Sequence, residues 1–223
     1  MREEKKRPKK LANIKHVVWD WNGTLLDDTW LCIEIANEML AERGIRTMSK
    51  RRYQQIFDFP VILYYQRMGF DFEKESFEKL GAEFIARYEV RRGECPLHKG
   101  ARHTLEKLHA SGVTQSVLSN YPHHTLEEIL RHHGIRDFFD DVTGADDVYA
   151  RGKTERGRQW LARSSRARHE IVLVGDTLHD HEVARELGIL SALVTVGSHS
   201  RSRLAKTGAP VFGSLRAFAS AVS

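Results

Sequence analysis

The residue best placed to do chemistry is Asp20, which ends the apolar run Val17-Val18-Trp19 and is followed by Trp21, Asn22, Gly23 and Thr24. A short apolar run bounded by a turn signal reads as a buried strand. Such a strand delivers the Asp20 carboxylate, a nucleophile, to the carboxyl edge where open α/β sheets keep their ligand crevices. Gly23 lets the backbone turn sharply just beyond, and Thr24 adds a hydroxyl for local hydrogen bonding.

The elements that must hold this carboxylate are legible as periodicity. A first strand is predicted over about Ile14–Trp19, then a helix capped by Asp28 that runs to about Arg43, where Gly44 stops it. Residues from about Met48 to Gly93 lack strand alternation and read as short helices: Lys50–Phe57, Val61–Met68 and a longer one near Glu73–Arg92. Tyr53, Phe57, Phe59, Tyr64, Tyr65, Phe70 and Phe72 make this stretch rich in aromatics, mostly as its own small core. After Pro96 and Gly100 helix and strand alternate: helix Ala101–Ala110, strand Thr114–Leu118, helix His124–His133 and strand Phe139–Val142. Helix Thr154–Ser164, strand Ile171–Val174, helix Asp180–Leu187, strand Ser191–Val194 and a final helix from Ser214 follow. Alternation of this kind predicts a parallel sheet with helices on both faces.

Four stretches, in order along the chain, resemble the four motifs of the haloacid dehalogenase superfamily. Asp20-Trp21-Asn22-Gly23-Thr24 resembles the first, and Val117-Leu118-Ser119-Asn120 the second. Lys153 stands where the third places its lysine, and Gly175-Asp176-Thr177-Leu178-His179-Asp180 resembles the fourth. The likeness extends from about Ile14 to the C-terminus, and is greatest to the phosphoglycolate-phosphatase-like branch, in which a helical cap follows the first motif. It implies an α/β fold, a Rossmann-like three-layer parallel sheet core with an inserted all-helical cap. The expected division is a disordered basic tail over 1–11, a core over 12–27 and 94–223, and a cap over 28–93.

The resemblance also implies a chemistry. Phosphoryl transfer needs an in-line nucleophile, a cation and fixed donors for the phosphoryl oxygens. Asp20 would attack phosphorus to give an aspartyl-phosphate, which water then cleaves. Mg²⁺ prefers a few carboxylates and retained waters, and Asp20 and Asp176 would supply them, with the backbone carbonyl of Asn22 as a further ligand. Ser119 and Asn120, with backbone amides at Gly23, would hold the phosphate, and Lys153 would neutralise charge on Asp20 and the phosphate. Asp180 is assigned to Mg²⁺ through water or to holding Lys153.

Asn22 departs from the motif. Phosphatases of the superfamily usually have Asp there, as general acid and then base, and an amide cannot titrate. General acid–base help is worth roughly 10²–10⁴ in rate, so three readings stay open. The substrate has a good leaving group, another residue replaces the acid, or the protein turns over poorly and binds phosphorylated ligands. His98, His123, His124, His179 and His199 are candidates for the replacement, with His123 and His124 nearest to Ser119 in sequence. A phosphonate hydrolase would explain a non-acid at position 22, but needs a cap lysine, for which Lys50, Lys74 and Lys79 are the candidates. A dehalogenase needs no Mg²⁺, and the fourth motif argues against it. The reading favoured is a Mg²⁺-dependent phosphatase of a small phosphorylated metabolite.

The bulk properties fit. A chain of 223 residues suits one α/β core and a modest insertion. It has no apolar run of about 18 residues, so no membrane span is expected, and no apolar leader segment. Two cysteines, Cys32 and Cys95, without metal-ligand spacing suit a reducing, cytoplasmic setting. Most of the net charge of +5 lies in residues 2–10, with six Lys/Arg against two Glu, a solvated leader more than a nucleic-acid arm. A second basic stretch, Arg151–Arg168, includes Lys153 and reads either as a field that draws a phosphorylated substrate or as a solvated helix face.

Overall fold

The computed structural model describes Leu11, residues 13–145 and residues 152–222. β1 (His16–Trp19) leads into four helices, α1 (Thr29–Glu42), α2 (Lys50–Ile56), α3 (Val61–Met68) and α4 (Phe77–Arg91). Then follow α5 (Ala101–Ala110), β2 (Thr114–Pro122), α6 (His123–His132), β3 (Asp141–Ala145) and α7 (Lys153–Arg163). β4 (Ile171–Gly175), α8 (Leu178–Leu187), β5 (Leu190–Val194), α9 (Arg201–Leu204), β6 (Val211–Phe212) and α10 (Leu215–Ala219) complete the order.

All strand pairs are parallel and the sheet runs β3-β2-β1-β4-β5-β6. β1 is the switch point: the chain winds outward from it to β2 and β3 on one side and to β4, β5 and β6 on the other. This is where doubly wound sheets open a crevice at their carboxyl edge. β1 and β4 are buried along their whole length, as expected of strands covered on both faces. Their side chains alternate between two cores. Val17, Trp19, Val172 and Val174 join the larger one, whereas Val18, Leu173, Trp160, Val183 and Leu187 form the other beneath α7 and α8.

The differences from expectation are local. The helix foreseen over Glu73–Arg92 begins at Phe77, where the Ser76 hydroxyl accepts from the Lys79 amide and caps it. β2 continues past Leu118 to Pro122 through a register shift, and β3 lies two to three residues later than foreseen, at Asp141–Ala145. β6 and α9 were not foreseen; two and four residues carry no readable period. Asp28 precedes α1 but its side chain caps nothing, because its carboxylate is engaged elsewhere. Leu11, assigned to the tail, is buried and bridges to Val222, with its amide donating to the Ala221 carbonyl. The rest of the basic tail and Arg151 lie outside the described residues.

Candidate active site

Asp20 lies one residue beyond β1 and Asp176 one beyond β4, and the strand register sets them side by side. The Asp20 amide donates to the Val174 carbonyl at 2.9 Å, which fixes the turn. The Thr24 hydroxyl lies 3.1 Å from Asp20 Oδ2 and 3.0 Å from Asp176 Oδ1, a single donor between two carboxylates. Gly23 has φ +73°, and a Cβ there would lie 2.5 Å from Asp176 Oδ2, so the close approach of the two strand ends requires glycine.

Lys153 is the first residue of α7 and is buried. Its ammonium donates to Asp20 Oδ1 at 2.6 Å and to Asp180 Oδ1 at 2.7 Å. Burial pulls the ammonium down, but Asp180 and Asp20 together outweigh it and hold it charged. Asp180 has little left to offer: its Oδ2 accepts from the Thr177 amide at 3.0 Å and hydroxyl at 2.7 Å, which also caps α8. Of its two assignments, holding Lys153 is the one this geometry favours.

Asp176 is the exception in charge balance. It is fully buried and takes hydrogen bonds from the Thr24 hydroxyl and from the Ser198 amide at 2.5 Å, with no cationic side chain paired to it among the described residues. Burial, then the nearby Asp20 and Asp180 charges, push its carboxyl well above the usual range. Carboxylate oxygens of Asp20, Asp176 and Asp180 lie within 4.8 Å of one another. An all-oxygen, anionic donor set of this kind fits a hard divalent cation such as Mg²⁺.

Ser119 is buried on β2, and its hydroxyl oxygen accepts from the Tyr121 amide at 3.0 Å. The Asn120 side-chain oxygen accepts from Arg156 at 2.9 Å, and the same guanidinium reaches the Ser119 carbonyl at 3.3 Å. Arg156, one turn after Lys153 on α7, thus braces the second motif, a role its place in a generally basic stretch concealed. Ser119 and Asn120 line the same cavity as Asp20 and Lys153. The Gly23 amide does not serve as foreseen. It donates to Asp28 Oδ1 at 2.8 Å and lies 3.1 Å from the Leu26 carbonyl, whereas the amides of Trp21 and Asn22 make no hydrogen bond among the described residues.

Asn22 is built into the wall of that cavity. Its amide nitrogen donates to Asp28 Oδ2 at 2.7 Å and lies 3.0 Å from the Tyr88 hydroxyl, which itself donates to Asp28 Oδ2 at 2.8 Å. Burial raises the Asp28 carboxyl, against the pull of these donors. Asp28 and Tyr88 escaped the sequence reading, Asp28 because it looked like a helix cap and Tyr88 because nothing in its helical stretch singled it out.

The histidines separate. His123 and His124 are exposed at the start of α6 and do not line the cavity. His98 is buried with Nε2 3.1 Å from the Gly23 carbonyl, behind the turn. His199 is buried and bridges, its Nδ1 accepting from the Leu178 amide and its Nε2 donating to the Phe57 carbonyl. Only His179 of the five lines the cavity. Lys50, Lys74 and Lys79 are exposed and none lines it, so the lysine that a phosphonate hydrolase needs is lacking among the described residues.

A doubly wound parallel sheet with two strand-end aspartates at its switch point, a buried lysine across from them and helices inserted after the first strand is the architecture of one hydrolase class. The family model described as haloacid dehalogenase-like hydrolase matches residues 17–194, and the chain belongs to that family. Within it the chain falls in the phosphoglycolate-phosphatase-like branch. It is 24% identical over 192 residues to the phosphoglycolate phosphatase of Synechococcus elongatus, covering 84% of this chain and 87% of the relative. It is 27% identical over 197 residues to that of Vibrio parahaemolyticus, covering 83% and 85%. Among solved structures, a haloacid dehalogenase-like family protein from Streptococcus pneumoniae has a TM-score of 0.79 at 20% identity, covering 93% of this chain and 98% of its own. No helix of the described residues is long and apolar enough to cross a membrane.

Proposed function

We propose that this haloacid dehalogenase-type phosphatase hydrolyses a small phosphorylated metabolite with Mg²⁺ and an aspartyl-phosphate intermediate. The observation that carries the reading is the charge pattern: Lys153 is committed to Asp20 and Asp180, while Asp176 is buried beside Asp20 with no cationic side chain of its own among the described residues. Asp20, Asp176 and the Asn22 carbonyl would hold the metal, which when bound would neutralise charge on the phosphoryl oxygens.

The chain's own residues do the rest. An Asp20 carboxylate oxygen attacks phosphorus and the bond to the leaving oxygen breaks; water then attacks phosphorus, releasing phosphate and freeing Asp20. Lys153, the Ser119 hydroxyl, Asn120 and the amides of Trp21 and Asn22, which make no hydrogen bond among the described residues, hold the phosphoryl oxygens, a preorganised set that needs no rearrangement at the moment of reaction. Asn22 itself transfers no proton. Groups lining the cavity that can do so include Asp28, Tyr88 and His179.

The test is phosphate release from a panel of phosphate esters and acyl phosphates. Turnover should vanish on chelation, return with Mg²⁺ and be lost in Asp20→Asn. Turnover indifferent to Mg²⁺, or surviving Asp20→Asn, refutes the reading. A second arm needs no substrate. Because the Asp176 carboxyl is raised above its ordinary 3.8, the metal-free folded state holds a proton that the unfolded state releases. Stability then falls as pH rises through that window, and a bound cation must expel the proton. Mg²⁺ should therefore raise Tm more at pH 8 than at pH 5, with proton release on binding.

A further inference from the structure

The cavity beside Asp20 has a volume of about 250 Å³ and eight Phe and Tyr side chains in its lining. Most come from the inserted helices and the turn after α2. Phe57 stacks on Tyr53 with ring centroids 5.1 Å apart and meets Phe59 at 5.6 Å and Tyr64 at 5.2 Å. Phe59 in turn lies 4.7 Å from the His179 ring. Phe84 and Ile85 of α4 complete the apolar side.

The charges of the cavity are spoken for. Among the described residues its only lining lysine is Lys153, held at 2.6 Å and 2.7 Å by two carboxylates, and no arginine lines it. The remaining ionisable carboxyls are Asp28, which accepts from Asn22, the Gly23 amide, Tyr88 and the Cys32 thiol, and Glu89, which accepts from the Tyr121 hydroxyl at 2.6 Å and pairs with Arg92 at 3.3 Å. A second anionic group on a substrate, such as the carboxylate of phosphoglycolate, would meet aromatic faces and carboxylates, with no free cation among the described residues of the lining to receive it. Burying a charge without a partner is strongly unfavourable. A cationic group would enjoy the ring faces, but Glu89 is already paired with Arg92, and the Asp28 oxygens are engaged by the Asn22 and Gly23 amides and the Tyr88 hydroxyl, so a direct ion pair there would have to displace those donors.

We infer that the substrate is a phosphate ester whose alcohol carries an uncharged aromatic or comparably apolar group, seated among the rings of the inserted helices. This rests on the phosphatase reading above and narrows it. The phosphoryl end is fixed by Asp20, Lys153 and Ser119, and the rest of the molecule gains from leaving water for a site lined almost wholly by carbon.

The test compares primary alkyl phosphates, so that leaving-group chemistry is matched: benzyl phosphate, 2-phosphoglycolate and phosphocholine, with acetyl phosphate as a small reference, all with Mg²⁺. The expected result is a kcat/KM for benzyl phosphate at least about tenfold above those for phosphoglycolate and phosphocholine. Phosphoglycolate or phosphocholine turned over as well as benzyl phosphate overturns the inference while leaving the phosphatase intact. Release of phosphate from none of them counts against the phosphatase, and calorimetric binding to Asp20→Asn then decides the inference, since benzyl phosphate must bind more tightly than phosphoglycolate. Ile85→Arg should lower the benzyl phosphate to phosphoglycolate ratio by about tenfold. Should that variant not fold, Phe59→Ala should lower the ratio of benzyl to acetyl phosphate turnover. An unchanged ratio in the folded variant overturns the inference.

Discussion

Asn22 makes the strongest demand on its neighbours of any residue in the site. Its amide donates to Asp28 Oδ2 while the Tyr88 hydroxyl donates to the same oxygen. Replacing it with the Asp usual in the motif would set a carboxylate against a buried carboxylate and leave Asp28 with one donor fewer. Asn22→Asp should therefore destabilise by about 1–3 kcal/mol in urea denaturation, with turnover no higher than in the wild type. The exchanged pair Asn22→Asp/Asp28→Asn should recover most of that stability, because one amide again faces one carboxylate. A gain of turnover in the single variant, by the roughly 10²–10⁴ that a general acid supplies, would contradict this account. As candidates, Asp20 was legible from the clear strand it ends, whereas Lys153 and Asp176 were legible only through the resemblance of their stretches to the third and fourth motifs. Asp28 was not, since its six-residue separation from Asn22 belongs to no period and its place before a helix suggested a cap.

β1 begins with a buried polar residue, His16, at the end of the strand away from Asp20. His16 is buried with Nδ1 2.7 Å from the Thr114 hydroxyl and Nε2 2.9 Å from the Ser116 hydroxyl, both on β2. Burial, with help from Arg166, lowers its pKa from 6.5 to about 3. The unfolded chain then binds a proton below about 6.5 that the folded chain refuses until about 3. This part of the stability is complete above about 6.5 and is lost as pH falls toward 3. Denaturation midpoints measured from pH 7 to pH 4 should drop, and the drop should be shallower in His16→Gln. An equal slope in both would assign the acid loss to other groups. The strands themselves were readable wherever three or more buried apolar residues run together, as in β1 and β4. They failed at β6, whose two residues are held by pairing with β5, and beyond Leu118, where a register shift carries β2 on through polar residues. Long-range pairing decides such places, and a local pattern does not record it.

In the molecule as a whole, the inserted helices meet the sheet domain along the end of α2. Arg203 donates to the Gln54 and Phe57 carbonyls at 3.1 Å and 2.7 Å and to Asp58 at 2.9 Å, and Gln54 donates to the Gly197 carbonyl at 3.2 Å. Arg203→Ala should weaken this seam by about 1–3 kcal/mol, read as faster amide exchange over residues 50–58 and a lower kcat/KM, with the fold retained. Unchanged exchange there would mean that the seam is held by packing alone. Its architecture was foreseeable in outline, as helices inserted after the first strand, but its fastening was not, because the partners lie some 145 residues apart. The segment from Gly197 to Arg203 serves both sides at once. The Ser198 amide steadies Asp176, and His199 joins the first turn of α8 to the carbonyl of Phe57. The insertion is therefore not an interchangeable module. A chimera that borrows a relative's helices while keeping this segment would inherit mismatched fastenings beneath Asp176, so the two stretches must travel together, in evolution as in engineering.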